Sequence, residues 1–261
     1  LSPCAQNLPE LRAEILGIDL HQEQINKNHE YWNRKPLLKS VYEDFYRLIA
    51  TQLSNLPDSK IVELGSGLGN IHEVIPNCIR TDLFPHPWID QVENAYHLSF
   101  ENESVSDLIL TDVFHHLQYP GTALYELYRV LRPGGRVIML EPCMSAIGLV
   151  VYGLLHEEPI AINQAIEWFA PEGWTPDKTD YYAAQGNATR IFVKKAYLPK
   201  LTAWRKVKTI RLSAIAYVAS GGYSSPQLYP TSMYPVLKKL EMLLDRFPEV
   251  FATRLLVILE K

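Results

Sequence analysis

Val62-Glu63-Leu64-Gly65-Ser66-Gly67-Leu68-Gly69-Asn70 is the stretch on which the fold turns. The run Lys60 to Leu64 reads as a buried strand and empties into three glycines at alternate positions. Glycine permits positive φ and lets a ligand lie close to the backbone. The pattern therefore predicts a strand, a tight loop and an opening helix, with a ligand over Gly65, Ser66, Gly67 and Gly69. A dinucleotide fingerprint places its last glycine three residues past the second, and here that position is Asn70. A pyrophosphate dianion favours a helix N-terminus, but Glu63 beside the loop would repel it. The same carboxylate suits an ammonium group.

Asp82 ends the next apolar run, Cys78 to Thr81, and stands seventeen residues beyond Gly65. A carboxylate there can accept both hydroxyls of a ribose, each bond contributing roughly 1.5–3 kcal/mol. A nucleoside that carries an amino acid instead of a pyrophosphate meets these demands, and S-adenosylmethionine is such a molecule. Asp82 serves nicotinamide cofactors equally well, so it supports nucleoside binding without choosing between the two.

Outward from the loop, short apolar runs alternate with helical stretches. Asp107 to Thr111 predicts a strand, and Gly121 to Leu131 a helix with Leu124, Leu127, Tyr128 and Leu131 on one face. Pro133-Gly134-Gly135 is expected to stop that helix before a strand at Arg136 to Leu140. Upstream, residues 37 to 53 predict an amphipathic helix with Pro36 in its first turn. Downstream, Ile210 to Ala219 predicts a returning strand. Pro235 to Phe247 predicts a helix with Val236, Leu240, Leu243, Leu244 and Phe247 inward, and Leu255 to Leu259 a strand covered on both faces. This rhythm implies an α/β fold with a mostly parallel sheet. Residues 1–56 are expected to form a helical segment closing over the site. Residues 57–261 form the main domain, with an irregular cap, rich in Tyr, Trp, Pro and Gly, inserted at about 145–208.

The ordered blocks resemble the class I S-adenosylmethionine-dependent methyltransferase superfamily, in particular its type 11 domain. They are Glu63 to Gly69, Thr81-Asp82, Asn94 to Phe100, Ser106 to Leu110, Val113-Phe114-His115-His116-Leu117 and Arg129 to Arg136, with the matching stretch running from Lys60 to about Pro142. The resemblance implies a Rossmann-like, seven-stranded sheet whose last strand is antiparallel. It implies cofactor contacts from Glu63, Gly65, Ser66, Gly67, Gly69, Asp82, Leu83, Asn94, Ala95 and Thr111. The family usually has an acid before the Ala, and this chain has Asn94, whose side-chain carbonyl can accept the same hydrogen bond from the adenine amino group. Relatives that methylate sugar hydroxyls often carry a His pair at the His115-His116 position and an acid at the end of the next strand, where this chain has Glu141. The resemblance thus implies a His base at His115 or His116, oriented by Glu141, acting on a small-molecule hydroxyl such as that of a sugar or glycan precursor.

Composition limits the alternatives. Apolar residues make up 47% of the 261 and the formal net charge is −4, which gives no global attraction to nucleic acid or anionic lipid. The longest apolar run, Ala146 to Leu155, is too short for a transmembrane segment. Cys4, Cys78 and Cys143 are odd in number and lack metal-ligand spacing, as expected of reduced thiols in a cytoplasmic protein. Asp112 has no second and third ligand at convincing positions, so no metal is expected. Oligomeric state is not encoded in any of these features. An N- or C-methyltransferase, a nicotinamide-dependent oxidoreductase and a non-catalytic cofactor-binding protein remain as other readings. Tyr31, Arg34 and Lys35 are further candidates for contact with the cofactor carboxylate, and His156 to Glu158, Tyr181-Tyr182 and Gln185 to Asn187 are polar stretches of the cap.

Overall fold

The computed structural model describes residues 22–178 and 181–261. Cys4 and the first 21 residues of the expected closing segment lie outside the described residues. In chain order the elements are α1 (22–34), α2 (Pro36–Ala50), β1 (Ile61–Leu64), β2 (Cys78–Asp82), β3 (Gln91–Val92), β4 (Val105–Thr111), α3 (Pro120–Val130) and β5 (Leu131–Pro142). They continue with α4 (Ala146–Leu154), α5 (Asn187–Phe192), β6 (Lys206–Leu212), α6 (Ile215–Ser220), α7 (Tyr234–Leu244), α8 (Pro248–Phe251) and β7 (Arg254–Glu260).

The seven strands make one sheet in the order β3-β2-β1-β4-β5-β7-β6. All pairings are parallel except those of β7, which runs antiparallel to both β5 and β6. This is the Rossmann-like class I methyltransferase fold. The chain moves outward from β1 to β3 and then returns to place β4 on the other side of β1. That reversal opens a crevice at the C-terminal ends of β1 and β4.

The period-2 alternation of the strands divides the core. Val62 and Leu64, Leu108 and Leu110, Val137 and Met139, and Leu255, Val257 and Leu259 pack with α3 and α5. Ile61, Ile109, Ile138, Leu140, Leu256 and Ile258 pack under α2 and α6. α2 starts with its proline in the first turn and buries Leu37, Leu38, Val41, Tyr42, Phe45, Tyr46 and Ile49. Every residue of β7 is buried, as expected for a central strand.

Four expectations need correction. The glycine loop opens only one 3-10 turn, Asn70–Glu73, before β2 begins at Cys78, because too few residues separate the loop from the strand for a longer helix. The strand expected at Arg136 starts earlier: α3 ends at Val130, and β5 runs continuously from Leu131 to Pro142, absorbing Pro133-Gly134-Gly135 as an irregularity in its pairing with β4. The strand expected to reach Ala219 stops at Leu212, and α6 follows. α7 also faces the other way. Val236, Leu240, Leu243 and Phe247 are exposed, and the buried side chain of the helix is Glu241, which accepts the Ala216 N–H at 2.8 Å and pairs with Lys238 at 2.9 Å. A paired carboxylate at the start of α6 overrides the apolar stripe.

Candidate active site

The crevice has two sides, and the glycine loop forms the first. Gly65, Gly67 and Gly69 all have positive φ. At Gly65 a Cβ would stand 2.4 Å from Val113 Cγ2, whereas the space beside Gly67 is open. Ser66 is buried, its N–H bonded to Thr81 O at 2.8 Å. Asp82 reaches back from the end of β2 to accept the Gly67 N–H (3.0 Å) and the Leu83 N–H (2.7 Å), with His86 Nε2 3.5 Å away. The loop and the end of β2 are thus locked together through one carboxylate.

Glu63 is buried beneath the loop on the α2 side of the sheet. Its Oε2 has no hydrogen-bond partner, and neither has the buried Oγ1 of Thr111 at the end of β4. Burial pushes the Glu63 carboxyl up to about 8, with the nearby Asp82 charge acting in the same direction. A buried carboxyl oxygen without a partner is costly, and an ammonium group placed there would relieve it. These orphaned atoms and the open space at Gly67 fit the amino-acid end of S-adenosylmethionine. Asn94 Oδ1 accepts the Tyr96 N–H at 3.0 Å while its Nδ2 donates to Pro176 O at 3.3 Å; Ala95 is half-buried beside it and Leu83 is exposed. Lys35 is committed elsewhere: its Nζ donates to the carbonyls of Ser220, Gly222 and Ser225 beyond α6. Trp32 is buried against Tyr42 and Tyr223, while Tyr31 is half-buried and Arg34 exposed.

The second side begins after β4. Asp112 has φ +58° and holds Arg254 with both oxygens, at 2.6 and 2.7 Å. Arg254 is fully buried, with Tyr217 and Phe45 stacked on its guanidinium. Glu141, at the end of β5, is buried and accepts the N–H groups of Val113 (3.0 Å), Phe114 (2.7 Å) and His115 (3.3 Å). It also accepts His115 Nδ1–H at 2.7 Å. One carboxylate therefore fixes the turn that carries both histidines.

Both imidazoles point at the cap. His115 Nε2 is 3.4 Å from the Glu158 carboxylate and His116 Nε2 is 3.8 Å from it. His116 Nδ1 donates to Tyr182 O at 2.9 Å. Glu158 is held from behind by Tyr181 OH (2.8 Å) and Gln185 Nε2 (2.7 Å), and the same amide nitrogen contacts His156 Nδ1 at 2.9 Å. Burial alone would lower the His115 pKa, but the charge of Glu141 and the bonds to Glu141 and Glu158 push it up to about 10. Burial and the His115 charge lower that of His116. Glu158 is held well below the usual carboxylate range, the His115 bond and the two imidazole charges outweighing its burial.

Sequence reasoning thus brings Glu63, the glycines, Asp82 and Thr111 to one side of the crevice and His115, His116 and Glu141 to the other. Arg254 has no role in the sequence reading, and Glu158, Tyr182 and Gln185 stand in it only as polar positions of the cap. A charged pair, Glu157-Glu158, between His156 and Pro159 in an otherwise apolar stretch was the available signal for the cap residues.

Strand order, crevice and glycine loop define an S-adenosylmethionine-binding methyltransferase fold. The family model of a methyltransferase domain, of the type 11 branch, matches residues 62–139, and the chain carries a class I S-adenosylmethionine-dependent methyltransferase domain there. Among curated proteins it is similar to the demethylmenaquinone methyltransferases of Streptomyces griseus subsp. griseus (27% identical) and Streptomyces avermitilis (28%). Each match runs over 109 residues, 36% of this chain and 47% of the relative, so it spans about half the length of the curated relatives. A solved S-adenosylmethionine-dependent methyltransferase from Archaeoglobus fulgidus superposes with a TM-score of 0.50 at 10% identity, covering 85% of this chain and 94% of the other. That likeness is one of fold.

Proposed function

We propose that the protein transfers a methyl group from S-adenosylmethionine to a hydroxyl of a small-molecule acceptor that enters against His115, His116 and Glu158. The observation that carries this reading is the convergence of two imidazole nitrogens and a carboxylate across the crevice from the orphaned Glu63 and Thr111 oxygens. When bound, the cofactor supplies a methyl group already activated by its sulfonium. This chain's residues then have three tasks: to hold the amino acid and ribose, to aim the acceptor oxygen in line, and to take over the charge of its departing proton. The C–O bond forms as the S–C bond breaks, the electron pair staying on sulfur. Positioning of this kind can supply roughly 7–11 kcal/mol. The His115–His116–Glu158 cluster handles the proton. His115, with one ring nitrogen bonded to Glu141 and the other facing Glu158, is the less free of the two histidines.

The polar tips of Tyr181, Tyr182, Gln185 and Asn187 around this cluster support a polyhydroxylated acceptor such as a sugar. The test is release of S-adenosylhomocysteine against a panel of sugar nucleotides, free glycosides, a catechol and a naphthoquinol, the last because of the relatives' names. Turnover with hydroxylated sugars is expected. Turnover confined to the naphthoquinol, with methylation at carbon, would replace the hydroxyl reading.

A further inference from the structure

We propose that His115 Nε2, His116 Nε2 and the Glu158 carboxylate bind one divalent transition-metal ion of the zinc or cobalt kind, facing the incoming acceptor. The ligand atoms of these three residues lie within 4.8 Å of one another. Their hydrogen bonds decide what they offer. Each Nδ1 faces an oxygen, Glu141 Oε2 for His115 and the Tyr182 carbonyl for His116, so each Nδ1 carries its hydrogen. When His115 gives up its second proton, both Nε2 atoms present lone pairs to a carboxylate, which is also an acceptor. Three acceptors turned toward one point need a cation between them, and a metal ion can take the place of the proton that otherwise bridges His115 and Glu158.

The spacing suits such a cation. The Nε2–carboxylate distances of 3.4 and 3.8 Å are longer than a good hydrogen bond. A tetrahedral ion with bonds of about 2.0–2.1 Å holds its ligand atoms about 3.3 Å apart. The surroundings match as well. Metal-bound histidines regularly donate their other N–H to a carboxylate or a backbone carbonyl, and this pair has one of each. Glu158 is likewise oriented by Tyr181 OH and Gln185 Nε2. Two imidazoles and one carboxylate favour zinc, cobalt or iron over magnesium or calcium, and they leave a position open. His115 is buried while the His116 and Glu158 side chains are 33% and 21% exposed, so an outside ligand can reach the cluster past those two residues.

Binding of the ion stands on this geometry alone. Its role in catalysis rests on the function proposed above: an ion held by His115, His116 and Glu158 would make a coordinated hydroxyl far more acidic, so that its proton would be lost to solvent. Neither histidine then has to act as the base.

Untagged full-length protein, stripped by chelation, is to be titrated with Co²⁺ and followed by visible absorption and calorimetry, beside His116→Ala and Glu158→Gln. S-adenosylhomocysteine binding and melting temperature are measured on the same samples. One Co²⁺ per chain is expected, with ligand-field absorption in the visible and at least 100-fold weaker uptake in either variant. The proposal is overturned if the unaltered protein takes up no stoichiometric Co²⁺, or if both variants bind it as tightly. His115 is in that case an imidazolium bridging Glu141 and Glu158. Loss of S-adenosylhomocysteine binding across all samples would sink the methyltransferase reading and leave the metal result standing.

Discussion

The two sides of the crevice are built on different plans. The glycine-loop side, proposed to hold the cofactor, uses backbone: three glycines with positive φ and a carboxylate, Asp82, that ties the loop to β2 through main-chain N–H groups. The histidine side, proposed to meet the acceptor, uses side chains drawn from distant parts of the chain, with Glu141 reaching back 26 residues to His115 and Glu158 facing both histidines from the cap. Backbone geometry needs particular residues at fixed spacing and so leaves a motif. Side-chain convergence needs only that the elements arrive, and leaves almost none.

The largest expected effect falls on the acceptor side. Glu141→Ala removes one buried carboxylate from three N–H groups and an imidazole, and it is expected to destabilise the fold by about 3–5 kcal/mol. Denaturant unfolding measures it. A loss below 1 kcal/mol would mean that the histidine turn does not depend on this anchor. On the cofactor side, Gly67→Arg fills the open space beside the loop. It should weaken S-adenosylhomocysteine binding at least 100-fold, about 3 kcal/mol, while the positive φ at this position costs about 1–2 kcal/mol of stability. Unaltered binding would move the cofactor off this loop.

Glu63 separates the two plans by pH. Its carboxyl is raised to about 8 in the folded chain, so between its ordinary value and about 8 the folded state holds a proton that the unfolded state has released. Stability is therefore highest below about pH 4.5 as far as this group is concerned, falls as pH rises to about 8, and is then lower by up to a few kcal/mol. Glu63→Gln should flatten that slope in the cofactor-free protein while weakening cofactor binding. A slope left unchanged by the substitution would place the titrating group elsewhere. The smallest effect belongs to Tyr181→Phe. Tyr181 is 78% exposed, and losing its bond to Glu158 should change stability by less than about 1 kcal/mol, with a modest drop in turnover. A loss of turnover above 100-fold would make its hydroxyl part of the acceptor contacts.

Legibility in the sequence follows the same division. The strand before Gly65, the carboxylate at Asp82 and the apolar run Leu255 to Leu259 could be read because period, spacing and residue type were local. Arg254 could not, since the group that neutralises it, Asp112, is 142 residues away. α7 misled because its leucines follow a helical period while its environment is decided by Glu241 against the start of α6. Asp112 was weighed as a metal ligand and found without companions. The carboxylate that converges with histidine nitrogens, Glu158, comes from the cap, where irregular backbone gives no period to read.

The position of β7 has a consequence for how the molecule is made. It lies between β5 and β6, yet it follows both in sequence, with the whole cap and α6 to α8 intervening. Until it inserts, β5 presents a bare apolar edge, the kind of surface on which chains pair with the wrong partner. Closing so long a loop is slow. The late strand also delivers Arg254 to Asp112, so completion of the sheet and neutralisation of that carboxylate are a single folding event. A chain halted before it would expose a sticky edge and an unpaired acid at the same time, and cellular quality control would have reason to recognise it.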